Sequence, residues 1–237
     1  MRIMDLHAHT YWSDCGKDAP TAVIDTAVAG GIELLGITDH NYGKDTLKAT
    51  KEVRKFYARE IHGLKEHYKD KIELLCGIEV CTKPHYFNMM PDDFELYDFC
   101  LIESVGESNS YAGLTKLFDF AEFIKIPKGL AHTDLFDAAE RSGFGVEKYC
   151  EKMAECGIFW ELNVNYDSIH KYFEHPYVKR FFESEIQQDI IRKTGVYVSI
   201  GFDGHRVEDY LPERVKEYNV KLKELGINTA DTLFQLD

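Results

Sequence analysis

The sequence predicts an α/β protein whose parallel sheet is covered by helices and closed into a barrel. Short apolar runs rich in β-branched residues alternate along the chain with segments of helical period. These runs are almost continuously apolar, as expected for strands that are buried on both faces of a parallel sheet. Ionisable residues recur at the carboxyl ends of the runs, where an α/β barrel assembles its active site. An open sheet would instead concentrate its site at one switch point.

Seven runs are predicted to be strands. Each has the length of an ordinary strand, and each is followed by a segment long enough for the crossover that parallel neighbours require. In chain order they cover residues 2–7, 32–38, 71–80, 97–104, 128–133, 158–164 and 195–202.

The first two long segments between strands are predicted to be helices. Residues 20–29 begin with Pro20, which suits the first helical position, and Gly30 stops the helix. In residues 45–69 apolar side chains recur every three or four positions, and charged side chains cover the other faces.

Further helices are predicted in the second half of the chain. Residues 177–193 are expected to form one helix that Gly195 closes. Its apolar face consists of Val178, Phe182, Ile186 and Ile190. Shorter helices are expected near residues 112–124, 145–156 and 212–225.

The composition indicates one folded domain over residues 1–237. An apolar fraction of 44% and an aromatic fraction of 13% exclude a disordered chain, and no linker or repeat divides it. No apolar stretch approaches the ~18 residues that a membrane helix needs. A formal charge of −13 disfavours long nucleic acids as partners, although bound cations would still permit a small anionic substrate.

The cysteines predict a reducing compartment. The six cysteines form no CxxC pair and no zinc-knuckle spacing, and the first residues lack the pattern of a signal peptide. We therefore expect free thiols and a cytoplasmic location. The cysteines are Cys15, Cys76, Cys81, Cys100, Cys150 and Cys156.

The ionisable residues at the strand ends predict a metal centre. Taken singly, each is explained as an ordinary hydrogen-bonded, capping or core residue. Buried together, they would be too costly unless cations neutralised them. Imidazole and carboxylate without thiolate suit zinc, manganese or iron, and the set is large enough for two or three divalent ions. The set consists of His7, His9, Asp39, His40, Glu79, His132, Asp203 and His205.

Five ordered motifs carry a family resemblance. DLHAHTYWSD, GITDH, GIEV, LAHTD and GFDGH are similar to the motifs of the PHP superfamily, named for polymerase and histidinol phosphatase. The match runs from Met4 to about Arg206. The resemblance implies a distorted (β/α)7 TIM-like barrel with a metal cluster at the carboxyl ends of its strands.

The resemblance also implies how the ligands divide between ions. The first ion would be held by His7, His9, Glu79 and Asp203. Glu79 would bridge to a second ion that His132 also binds. The third ion would be held by Asp14, His40 and His205, with Cys15 as a less fitting alternative to Asp14.

The sequence departs from the family pattern after the fourth strand. Gly106 stands where family members usually have a histidine that binds the second ion. Either solvent completes the shell of that ion, or Glu103 or Glu107 takes the histidine's place.

The function expected from these features is hydrolysis of a small phosphomonoester by a metal-activated hydroxide, as in histidinol phosphatases. The catalytic residues would be His7, His9, Glu79, His132, Asp203 and His205. Arg141, Arg206 and Asn163 are candidate substrate contacts, and Asp5 a support for a ligand histidine. The alternatives are a nuclease acting on short nucleotides and a regulatory or structural barrel whose turnover is lost because of Gly106.

Overall fold

The computed structural model describes residues 2–42 and 50–234. Parallel strands pair in chain order, each with the next, and the 7-stranded sheet curls into a nearly closed barrel. The predicted strands and the predicted barrel are confirmed, and the carboxyl ends of the strands meet at one mouth. The strands are β1 (Met4–Ala8), β2 (Leu34–Ile37), β3 (Glu73–Cys81), β4 (Phe99–Glu103), β5 (Lys128–Leu130), β6 (Ile158–Asn163) and β7 (Val198–Gly201).

Helices cover the outside of the barrel. The predicted helix over residues 20–29 is confirmed, whereas residues 45–49 of the next predicted helix lie outside the described residues. Within the described part of the chain, no helix is long and apolar enough to cross a membrane. The helices are α1 (Pro20–Ala29), α2 (Lys51–Tyr68), α3 (Leu117–Glu122), α4 (Leu135–Ser142), α5 (Val146–Glu155), α6 (Pro176–Glu183), α7 (Glu185–Thr194) and α8 (Pro212–Glu224).

The prediction of one helix over residues 177–193 is wrong, because α6 and α7 meet at Ser184. The backbone of Ser184 is extended, and its hydroxyl accepts a hydrogen bond from the backbone N–H three residues further on, which begins α7. The side-chain amide of Gln188 donates to the carbonyl oxygen of Phe181 (2.9 Å) at the end of α6. Because of the break, the predicted apolar face does not continue from α6 into α7, and the side chain of Ile186 is 74% exposed.

The sequence analysis assigned no helix to the residues of α4. The carboxylate of Asp134 accepts a hydrogen bond from the backbone N–H of Asp137 (3.3 Å) and so begins the helix. Gly143, with φ 78°, ends it in the left-handed conformation. An Asp before the helix and a Gly after it are readable signals, and the Asp is also the last residue of the motif LAHTD.

A buried carboxylate helps to join β7 to β1. Asp5 Oδ1 accepts hydrogen bonds from the backbone N–H groups of His7 (3.2 Å) and Phe202 (2.9 Å). Asp5 Oδ2 accepts one from the hydroxyl of Tyr210 (2.8 Å). Asp5 therefore holds the backbone of His7, in keeping with the prediction that it supports a ligand histidine.

Two phenylalanine rings fill the barrel below its mouth. Phe99 from β4 and Phe159 from β6 are fully buried, with their ring centroids 6.4 Å apart. A Cβ on Gly36 or Gly77 would lie 2.6 Å from the ring of Phe99, and a Cβ on Gly129 would lie 2.1 Å from that of Phe159. The glycines on β2, β3 and β5 therefore make room for the two rings.

Candidate metal centre

The strands bring predicted site residues together at the mouth of the barrel. We call these residues the strand-end cluster. Their positions follow from the topology, because parallel strands in chain order end side by side. Most of them are buried, and His132 and His40 are partly exposed. The cluster consists of His7 and Glu79 within strands, and of His9, His40, His132, Asp203 and His205 just beyond strand ends.

Hydrogen-bond acceptors converge around the two histidines of the first motif, His7 and His9. His7 Nδ1 is 2.7 Å from Glu161 Oε1 and donates its proton there, so Nε2 is the nitrogen that offers a lone pair once the ring is neutral. His7 Nε2 is 3.2 Å from His9 Nε2 and 3.4 Å from Glu79 Oε2. Asp203 Oδ1 is 3.4 Å from His7 Nε2 and 3.1 Å from His9 Nε2. Imidazole nitrogens and carboxylate oxygens that face one another in this way fit a divalent cation.

The carboxylate of Glu79 lies between histidines from different strands. Its Oε1 is 3.0 Å from His132 Nε2, and its Oε2 is 2.9 Å from His40 Nδ1. The same Oε2 is 3.4 Å from both His7 Nε2 and His9 Nε2. The two oxygens therefore face separate groups of predicted ligands. This placement fits the bridging role that the resemblance implies for Glu79, and that role stays a prediction.

The buried charges change the protonation of the cluster. Burial opposes charge on Glu79, but the imidazoles of His40 and His7 hold the pKa of that carboxyl well below its usual range. Burial also opposes charge on His7, yet the carboxylates of Glu161, Asp203 and Glu79 raise the pKa of its imidazole well above the usual value. A cation bound by these groups must displace the proton of His7, so metal binding should release protons.

The other histidines differ in their protonation. Burial lowers the pKa of His9 to about 3, and His205 and His40 beside it act in the same direction. His9 is therefore neutral and ready to bind a metal. Burial opposes charge on His132 as well, but its hydrogen bond to Glu79 raises the pKa of its imidazole to about 9.

Glu161 is a functional residue that the sequence analysis missed. Its side chain is fully buried in β6. Its Oε1 lies 2.7 Å from His7 Nδ1, and its Oε2 accepts a hydrogen bond from the backbone N–H of His132 (2.5 Å). One carboxylate thus orients two predicted ligands. The sequence does contain a signal for Glu161, because an acidic residue inside the apolar run IFWELNV needs a buried partner.

The loop after β6 contributes a second missed group. His170 Nε2 lies 3.3 Å from Asp203 Oδ2, and His170 Nδ1 lies 2.7 Å from Asp167 Oδ1. Asn163 Nδ2 is 3.4 Å from the same oxygen of Asp203. Asn163, predicted to contact substrate, therefore contacts a predicted metal ligand. His170 and Asp167 lie outside the five motifs, and no pattern in the sequence identifies them.

Two of the predicted ligands have a strained backbone. His132 has φ 28° and Asp203 has φ 58°, in the region that residues other than glycine seldom adopt. The N–H of His132 is held by Glu161, and the N–H of Asp203 donates to the carbonyl oxygen of His7 (2.7 Å). Such strain costs about 1–3 kcal/mol per residue and is typical of sites whose geometry the surrounding structure imposes.

The loop after β1 places Cys15 beside the predicted third-ion ligands. One ligand atom each of His9, Cys15 and His205 lies within 4.8 Å of the others. Burial opposes ionisation of the thiol, but hydrogen bonds from His205 and His40 lower the pKa of Cys15 to about 7. Asp14, which the sequence favours as the ligand, is the preceding residue and is half-buried. Its role as a ligand stays a prediction.

The two glutamates that are candidates to replace the missing histidine lie in different surroundings. Glu103 lies at the edge of the strand-end cluster, with its Oε2 3.9 Å from His40 Nδ1. One ligand atom each of His40, Glu79 and Glu103 lies within 4.8 Å of the others, so these residues form a possible metal-binding group. Glu107 instead forms an ion pair with Lys83 (2.8 Å).

The two predicted substrate-binding arginines lie in different surroundings. Arg141 Nη2 donates to the carbonyl oxygen of Gly106 (2.8 Å), and its Nη1 pairs with Asp137 (3.0 Å). Arg206 pairs with Glu208 (3.5 Å) and lines a small cavity against α1. The structure therefore places Arg141 near the position of the missing histidine and does not bring Arg206 to the strand-end cluster.

Comparison with known proteins identifies relatives of this fold. A model of the PHP domain family matches residues 5–224. A comparison with curated proteins found no match.

The chain is similar in structure to the histidinol phosphate phosphatase of Lactococcus lactis subsp. lactis Il1403, complexed with zinc, L-histidinol and phosphate. The TM-score is 0.58 at 15% identity, over 95% of this chain and 94% of that one. It is also similar to the putative histidinol phosphatase of Listeria monocytogenes. The TM-score is 0.52 at 14% identity, over 87% of this chain and 96% of that one.

Proposed function

Because the chain belongs to the PHP domain family, we propose that it is a metal-dependent phosphoesterase that hydrolyses a small phosphomonoester. The observation that supports this proposal is the convergence of His7, His9, Glu79 and Asp203, whose acceptor atoms lie 3.1 to 3.4 Å apart. Zinc, manganese and iron suit these donors. The zinc, L-histidinol and phosphate bound by the Lactococcus lactis protein support the same class of reaction.

The chain's own residues orient and hold the reacting groups. Two or three divalent cations, when bound, would supply an activated water as nucleophile and positive charge for the phosphoryl oxygens. Glu161 fixes the ring of His7 through Nδ1, which would leave Nε2 to hold a cation, and Glu79 lies between neighbouring groups of predicted ligands. The ring of His132 lies 3.0 Å from Glu79 Oε1 through its Nε2 and is nearly parallel to the ring of His175, with centroids 6.3 Å apart.

A cavity beside the strand-end cluster is the proposed substrate site. It measures about 380 Å³, and its lining includes Lys83, Glu103, Gly106 and His132. Arg141 contacts two residues of this lining, since it donates to the carbonyl oxygen of Gly106 and pairs with Asp137. We propose that Lys83 and Arg141 leave their present carboxylate partners to bind the outer oxygens of the phosphate. Asn163 and Arg206 have no part in this proposal.

Elemental analysis combined with a phosphatase panel tests the proposed function. Wild-type protein and His9→Ala are compared after incubation with zinc, manganese or iron, on phosphomonoesters that include histidinol phosphate. We expect His9→Ala to lose bound metal and at least about 100-fold in phosphate release, since even residues that only orient ligands account for 10–100-fold. His67→Ala, which removes an exposed imidazole on α2, is the matched control and should behave as wild type. Wild-type turnover in a His9→Ala protein free of metal would contradict the mechanism.

Gly106 favours a second candidate, a barrel that binds metal without turnover. With a glycine at this position, a second ion would lack the imidazole that family members usually supply. Arg141 instead donates to the carbonyl oxygen of Gly106. Bound metal without phosphate release from any ester or short oligonucleotide would support this candidate. Release from short oligonucleotides alone would support the nuclease interpretation.

A further inference from the structure

We infer that Cys15 is a thiolate ligand of the third cation, in the role that the sequence motif gives to Asp14. The inference rests on the proposed function, because this cation belongs to the same cluster. Both residues follow Ser13 in the stretch SDCG, so the motif alone does not decide which of them faces the cluster. The conformation of the loop decides it.

The first half of the loop is fixed by a buried carboxylate. Asp39 accepts hydrogen bonds from the backbone N–H and hydroxyl of Thr10 (2.8 and 2.7 Å) and from the backbone N–H of Ser13 (2.9 Å). Ser13 Oγ in turn accepts one from the backbone N–H of His40 (2.8 Å) and lies 3.3 Å from His9 Nδ1. Ser13 is therefore tied to two predicted ligands of the cluster.

The second half of the loop is fixed by close backbone contacts. A Cβ on Gly16 would lie 2.1 Å from the carbonyl oxygen of Thr10, so only glycine fits where the chain turns back. The backbone N–H of Lys17 then donates to the carbonyl oxygen of His205 (3.0 Å). Cys15 lies between two anchored residues, and the backbone places its thiol at the cluster.

The surroundings of the thiol form a set of metal ligands. One ligand atom each of His9, Cys15 and His205 lies within 4.8 Å of the others. His205 is 6% exposed, and its Nδ1 is buried with no hydrogen-bond partner among the described residues. An unpaired buried imidazole nitrogen is costly, and a cation in this group of ligands would satisfy the buried polar atoms. Thiolate with imidazole ligands prefers zinc or cobalt to manganese.

Cobalt titration of the metal-free protein tests the inference. Thiolate bound to Co²⁺ gives a charge-transfer band in the near ultraviolet that imidazole and carboxylate ligands do not give. Bound cobalt is counted by elemental analysis of the same samples. We expect the band in wild type and in Asp14→Asn, and its loss in Cys15→Ser, with at least about tenfold weaker binding of one equivalent. Cys156→Ser, which changes a half-buried cysteine at the end of α5, is the matched control and should keep the band.

Alkylation of the wild-type protein gives a readout that needs no variant. Zinc should slow the alkylation of Cys15 at least about tenfold and leave that of Cys156 unchanged, as measured by mass spectrometry. No band in wild type, a band that persists in Cys15→Ser, or equal alkylation with and without zinc would overturn the inference. Phosphate release without the band would contradict only the thiolate ligand, whereas the band without phosphate release would contradict only the proposed phosphoesterase.

Discussion

Replacing Glu161 by glutamine should weaken metal binding although Glu161 itself is not a predicted ligand. Its two oxygens accept hydrogen bonds from His7 Nδ1 (2.7 Å) and from the backbone N–H of His132 (2.5 Å). Glutamine has the same size but offers one oxygen and one NH₂ group. Either His7 Nδ1 or the backbone N–H of His132 would therefore face the NH₂ group, which donates and cannot accept. A lost hydrogen bond to a buried charge costs about 1.5–3 kcal/mol. At about 1.4 kcal/mol for each factor of ten, this corresponds to a loss of about 10- to 100-fold in zinc affinity.

Competition with a chromophoric chelator measures that affinity directly. Glu151→Gln makes the same chemical change on the exposed surface of α5 and should leave zinc affinity unchanged. The free energy of unfolding of each variant, taken from urea titrations of metal-free protein, separates weaker binding from a loss of fold. Zinc affinity in Glu161→Gln within a factor of two of wild type would refute the idea that this carboxylate orients the ligands.

Gly201→Ala should reduce zinc affinity as Glu161→Gln does, because its Cβ would lie 2.0 Å from Glu161 Oε1, and unchanged affinity would contradict the argument. Asp93→Asn should lower the free energy of unfolding by about 1–3 kcal/mol at pH 7, as urea titration can measure. Burial opposes charge on Asp93, but Lys51 holds the pKa of its carboxyl below the usual range. The loss of stability should therefore vanish as the pH falls below about 4, where the carboxyl becomes protonated. A loss that does not depend on pH would show that the charge of Asp93 does not stabilise the fold. Zinc binding should release protons and strengthen between pH 6 and 8, because the raised pKa of His7 keeps its imidazole protonated; calorimetry in buffers of different ionisation enthalpy measures this release.

The strand framework is predictable because its signals are local. Each strand is a short apolar run between turn residues, and parallel pairing in chain order brings the ends of all runs to one mouth. The positions of His7, Glu79 and Asp203 in the cluster therefore follow from the order of the motifs. Regular helices such as α1, with Pro20 at its start, are predictable for the same reason.

The remaining features depend on contacts between segments that are distant in sequence. Glu161 and His170 act on ligands from other strands, and a motif describes only the residues that it contains. The break at Ser184 falls within a pattern that continues with a period of four, and a hydroxyl cap outweighs that pattern. The orientation of Cys15 depends on a loop that Asp39 fixes from the end of the next strand.

The rings of Phe99 and Phe159 give the barrel a floor. Because these two buried rings fill the interior of the barrel, small molecules do not reach the strand-end cluster from the amino ends of the strands. For an enzyme of the proposed kind, the ester, the attacking water and the departing phosphate would all pass through the mouth of the barrel. Free phosphate carries the same kind of oxygens as the ester and would compete with it for the same site, so accumulating product should slow the enzyme.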